Sequence, residues 1–110
     1  MMEVRNEYLL YIRKDYIEIG KLVQSHSHDE YNGTLKIIMC QIECIDSDEE
    51  VKTKYEYLKD NFGKIFSSRG GLGDFIVYEE DKELRNDLNV KYNEAIERIK
   101  RNIENLVGGK

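Results

Sequence analysis

The chain contains no proline, so glycine is the only residue left that strongly interrupts a helix. No apolar run approaches the roughly 20 residues that span a bilayer, so no membrane-spanning helix is expected. Positive charge is in deficit: 17 basic residues stand against 22 acidic ones, for a formal charge of −5. Nonspecific nucleic-acid binding needs a basic patch to meet the phosphates, so nucleic acid is not an expected partner. The first residues, Met1-Met2-Glu3-Val4-Arg5-Asn6-Glu7, lack a basic region followed by an apolar one. No signal peptide is therefore expected, and a cytoplasmic location is. The sequence has no Gly-Lys-Ser/Thr, no dinucleotide fingerprint, no internal repeat and no low-complexity segment.

Cysteine is scarce too. Cys40 and Cys44 lie four apart in one predicted helix, where a disulfide is geometrically poor. They sit among Ile37, Met39, Ile42 and Ile45, and free cysteine behaves as a small buried hydrophobe, so both are expected reduced, metal-free and in the core. A zinc site could be drawn from them with His26 and His28, but the spacing is not that of a known finger. No metal or cofactor is expected.

What is present points to one helical domain over residues 1–110. With 40% hydrophobic and 35% charged residues, the composition suits a small globule with a single core rather than a disordered chain. Val4, Tyr8, Tyr11, Ile12, Ile19 and Val23 recur at helical spacing, with Leu9, Leu10, Tyr16 and Ile17 widening the face. They predict a first helix near 3–24, in which Gly20 could permit a close helix approach. Leu35, Ile38, Met39, Ile42 and Ile45 mark a second helix near 34–46, with Asp29, Asn32 or Thr34 as its cap. Ser47 and Glu50 read as a capping box that opens a third helix near 48–66, striped by Val51, Tyr55, Leu58, Phe62 and Ile65. Leu84, Leu88, Tyr92, Ala95, Ile99, Ile103 and Leu106 form a seam along a fourth helix near 80–106, where Glu97 and Arg101 stand at ion-pair separation. An all-α, antiparallel four-helix bundle is the expected fold, with one Gly-rich loop before the last helix.

That loop, Ser67 to Tyr78, is the one stretch where helical periodicity stops. Gly70, Gly71 and Gly73 allow a sharp turn, and Phe75, Ile76, Val77 and Tyr78 favour an extended path. A phosphate cradle would need these glycines between a strand and a helix start; here they follow a helix, so a tight turn tucking Leu72 and Phe75 under the bundle is the better reading. Asp74, between glycine and aromatic, suits bonding to loop amides or presenting a charge outward. No nucleophile–base pair or cleft of paired carboxylates is evident, so an enzyme is not expected.

The segment Gly70-Gly71-Leu72-Gly73-Asp74-Phe75, preceded by a helix and followed by an acidic helix carrying Asn86 and Asn89, resembles a group of small bacterial helical proteins. Several of these look like immunity proteins encoded beside secreted toxins. The resemblance covers about forty residues of the C-terminal half; after Phe75 this chain carries Ile76-Val77 where the group has a polar Asn-Asp pair. It implies a non-enzymatic antitoxin that neutralises a cognate, basic protein toxin by occlusion. The acidic balance fits such a partner, because complementary fields speed encounter. Tyr78 beside Glu79, Glu80 and Asp81, flanked by Arg69 and Asp74, is then the expected partner-binding edge. The alternative is a helical regulatory or adaptor module that binds a partner helix.

Overall fold

In a computed structural model of the chain, residues 2–27, 30–67, 71–73 and 75–108 are described. Four helices run in order: α1 Met2–His26, α2 Asn32–Asp46, α3 Val51–Ile65 and α4 Lys82–Gly108. Each packs on the next and α4 closes against α1, which makes an antiparallel four-helix bundle; no strand occurs among the described residues. One core draws on every helix, with Ile12, Tyr16, Ile19, Leu58, Ile65, Ile99 and Leu106 fully enclosed.

The helix faces are close to those the periodicity predicts, with informative offsets. The buried stripe of α1 is Leu9, Ile12, Asp15, Tyr16, Ile19 and Val23, while Leu10 and Tyr11 face outward. An apolar face wider than the helix's contact with its neighbours must leave some members in water. In α4 the seam is buried from Tyr92 to Leu106, whereas Leu88 is half-buried and Leu84 exposed. The first turns of that helix are bonded to the connecting segment through Arg85 and Asn89. Gly20 permits no close approach, since an added Cβ would meet nothing within 4 Å. Glu97 and Arg101 are not bridged among the described ion pairs.

Two expectations about helix ends and thiols are corrected. Ser47 does not open α3. Its N–H and hydroxyl both donate to the Cys44 carbonyl, at 3.2 and 2.6 Å, and its oxygen accepts from Glu49 N–H at 3.3 Å. It closes α2, and α3 begins at Val51 behind Glu50, which makes no side-chain cap. The hydroxyl is satisfied by the nearest orphan carbonyl of the preceding helix before it can reach forward. Lys54 completes that end: the side chain is buried and its Nζ donates to the Ile45 carbonyl at 2.8 Å, a cation at the negative pole of α2.

Cys40 is exposed and Cys44 half-buried, because the core-facing positions of α2 are Thr34, Ile38, Gln41 and Ile45. Met39 shares the outer face of α2. The thiols therefore differ in access. Burial pushes the Cys44 thiol up, partly offset by Lys54. In native protein a thiol-reactive chromophore should label Cys40 in seconds to minutes and Cys44 distinctly later, with both equal in denaturant. Equal native rates would contradict this placement.

Inside the core, Tyr16 stacks on Phe66 with ring centroids 6.4 Å apart, yet its hydroxyl meets no hydrogen-bond partner among the described residues. Burial raises its phenol well above the ordinary value and keeps it neutral. An orphaned buried hydroxyl costs about 1–3 kcal/mol in lost hydration. Tyr16→Phe should therefore raise the urea midpoint, by about 1 kcal/mol of stability; a loss of similar size would show that the hydroxyl has a partner.

Candidate functional site

The segment joining α3 to α4 is a strap held at four points. First, it turns back over the end of α3: Leu72 N–H donates to the Ile65 carbonyl at 2.7 Å and Gly73 N–H to the Ser67 carbonyl at 2.8 Å. The first of these bonds satisfies a carbonyl that the helix end leaves open. Gly71 allows the approach through the absence of a side chain: a Cβ there would lie 2.7 Å from both the Lys64 and Ile65 carbonyl oxygens. Second, Leu72, Phe75 and Val77 are buried, as the tight-turn reading expects for Leu72 and Phe75. Phase alternation follows, with Ile76 and Tyr78 pointing outward between buried neighbours, the period of an extended segment. The Phe75 ring meets Tyr31 at 5.5 Å and Tyr92 at 5.3 Å, both edge to face, and the Tyr92 hydroxyl donates to the Leu72 carbonyl at 3.2 Å.

Third, Asn89 of α4 grips the strap as a neighbouring strand would. Its Oδ1 accepts from Val77 N–H at 2.8 Å, and its Nδ2 donates to the Val77 carbonyl at 3.0 Å and to the Arg85 carbonyl at 2.9 Å. Fourth, the far end is tied to α1 and α4. His26 Nε2 lies 2.9 Å from Glu79 Oε2, while Nδ1 lies 3.0 Å from the Leu22 carbonyl. Both neighbours are acceptors, so both contacts are hydrogen bonds when the ring carries both protons. Arg85 Nη1 donates to the Glu79 carbonyl at 3.3 Å, and Asp81 Oδ1 caps α4 by accepting from Leu84 N–H at 3.1 Å.

The residues singled out in the sequence thus divide. Glu79 and Asp81 are engaged within the chain. Tyr78 is 74% exposed, and Glu80 is exposed with no partner among the described residues. Arg69 and Asp74 lie outside the described residues. Sequence reasoning did not pick out Ile76 as part of this edge, although it is 70% exposed one residue pair away from Tyr78. Its place at i−2 in an extended run was the available signal.

A second feature had no signal in the sequence. A groove of about 700 Å³ runs between α1 and α4, lined by Tyr11, Lys14, Asp15, Glu18, Arg98 and Arg101, with Asn102 beside them. Asp15 is buried, and Arg98 grips it with two parallel bonds: Nε to Oδ2 at 3.1 Å and Nη2 to Oδ1 at 3.0 Å. The carboxylate holds the guanidinium firmly cationic. Among the described residues no three His, Cys, Asp or Glu side chains gather as metal ligands. No helix there is long and apolar enough to cross a membrane. No family model matches the chain, and no curated protein or solved structure matches it.

Proposed function

We propose that this chain is a binding protein that neutralises a protein partner by occupancy, an immunity protein or antitoxin acting in the cytoplasm on a basic toxin. The observation that carries the reading is the pair Ile76 and Tyr78. Two large side chains stand out from a strap that Gly71, Asn89, His26 and Asp81 hold in place, with the unpaired Glu80 beside them. An aromatic anchor on a fixed backbone forfeits little freedom on binding, and a nearby unengaged carboxylate steers a basic surface. The resemblance of Gly70–Phe75 to immunity-like proteins supports the same conclusion. Arg69 and Asp74 belong to this edge as proposed contacts.

The division of the acidic residues dictates the test. Glu79 and Asp81 secure the fold, so reversing them confounds binding with stability. Tyr78→Ala and Glu80→Lys alter exposed side chains alone. Tyr78→Ala should weaken capture of the toxin encoded by the adjacent gene by ~2 kcal/mol, chiefly through faster dissociation. Glu80→Lys should slow association at low salt and do so less at high salt. Both variants should melt like the parent. Unaltered rates in both would place the interface elsewhere.

The adaptor reading has an observation of its own. Met39 and Cys40 on α2 are exposed, and Tyr57 of α3 lies against Cys40 with its phenol pushed up by burial and by that thiol. A partner helix could rest on this face. Tyr57→Ala, with Tyr78→Ala as its counterpart, tells the two faces apart in one binding assay.

A further inference from the structure

The groove between α1 and α4 presents hydrogen-bond donors that the fold does not use. An arginine has five N–H donors. Asp15 takes two from Arg98, so three donors are left over, on a side chain that is 46% exposed and lines the groove. Burying a carboxylate costs several kcal/mol even after relaxation, and a pair of well-packed apolar residues would stabilise the bundle as well or better. The arrangement therefore does something a structural pair need not do: it fixes one face of a guanidinium and presents the other.

Two more cations converge on the same space from opposite walls. Lys14 stands on α1 and Arg101 on α4, and neither makes an ion pair among the described residues. Glu18 is the only groove carboxylate besides Asp15, and it too is unpaired. Glu97 and Glu104 flank Arg101 one turn to either side on α4. Glu94 also acts on Arg98, so what the groove offers an anion is its set of unused N–H donors rather than a net positive charge. Tyr11, half-exposed, forms an aromatic wall, and Asn102 offers an amide. The groove is open and its lining is polar apart from Tyr11, which suits a small, charged, solvent-facing ligand rather than an apolar one.

We propose that the α1/α4 groove binds a small ligand through a phosphate or carboxylate group, held by the free donors of Arg98 and closed upon by Lys14 and Arg101. Asp15 acts as a positioning residue: it sets the plane of the guanidinium and does not touch the ligand. Arginine suits this role because its planar fork matches an oxyanion in two bonds at once. The groove is separate from the Ile76–Tyr78 edge, and the proposal stands without the antitoxin reading.

Inorganic pyrophosphate and citrate serve as the probes, titrated separately into the full chain at fixed ionic strength, with sodium chloride as control. The readouts are the side-chain Nε–H signals of Arg98 and Arg101 and the melting temperature. At least one probe should give saturable shifts at both arginines and a higher melting temperature; which one does so separates a phosphate from a carboxylate ligand. Lys14→Ala/Arg101→Ala should cut the affinity roughly tenfold or more, and Arg101→Lys should retain most of it. Without probe both variants should melt like the parent, because the residues removed are exposed and unpaired. Shifts that grow linearly without saturating, match the chloride control or survive in the double variant would overturn the proposal. If the double variant melts early, the Lys14→Gln and Arg101→Gln single variants decide by the same criterion.

Discussion

Gly71→Ala should destabilise the bundle by roughly 2–4 kcal/mol, although it adds a single methyl group. The added carbon would sit 2.7 Å from the carbonyl oxygens of Lys64 and Ile65 and 2.8 Å from that of Ser67. All three obstacles are backbone, so no side chain can swing aside; the turn itself must open. Opening it lengthens the Leu72-to-Ile65 bond and lifts Leu72, which is 2% exposed, from the core. Phe75 and Val77 follow in the same strap, and with them the Tyr31–Phe75–Tyr92 cluster. The control is Gly63→Ala in the last turn of α3, where an added Cβ meets nothing within 4 Å. That change should be neutral or stabilise by up to about 1 kcal/mol, because alanine is the better helix former. Urea midpoints of the two variants moving in opposite directions confirm the contrast. If both move alike, the close approach at Gly71 does not hold the strap.

The contrast between these glycines shows how far the sequence could be read. Both occur in plain view, and a helical pattern around Gly63 against a cluster at 70–73 suggests different roles. The four helices were legible because apolar residues repeat at 3.6 over stretches long enough to fix type. Ends were less so. Ser47 and Glu50 carry the letters of a capping box, yet Ser47 finds the Cys44 carbonyl behind it, and the boundary moves by one turn. Asp81 caps α4 in the way Ser47 was expected to cap α3. Cys40 and Met39 look apolar in the string, but α2 meets its neighbours through Ile38, Gln41 and Ile45, which leaves them outside. Contacts between distant positions had no local signal at all. Asn89 and Val77 are twelve apart, His26 and Glu79 fifty-three, Asp15 and Arg98 eighty-three. Which of three adjacent acids stays free for a partner depends on those contacts, so the edge could be located but not resolved.

The Asp15–Arg98 pair also sets the second large effect. Arg98→Ala should cost about 2–3 kcal/mol at neutral pH. The reason is the asymmetry of the pair. Arg98 stands half in water, where losing it alone would matter little, but the side chain of Asp15 is only 7% exposed and its two oxygens have Arg98 as their partner. Removing the arginine leaves a buried, unpaired carboxylate on the core-facing stripe of α1. Breaking a fully buried pair costs about 3–5 kcal/mol; the figure here is smaller because the groove admits water to one side. Removing both charges should be milder than removing one. Asp15→Leu/Arg98→Leu should recover most of the lost stability, and a double-mutant cycle read from urea midpoints should show coupling above about 1 kcal/mol. Simple additivity would mean that Arg98 only decorates the surface of α4. The recovered double variant would also separate the two roles of the pair. It keeps the bundle closed while removing the guanidinium, so a bundle of normal stability that no longer shifts with pyrophosphate or citrate identifies Arg98 as a binding group rather than a stabilising one.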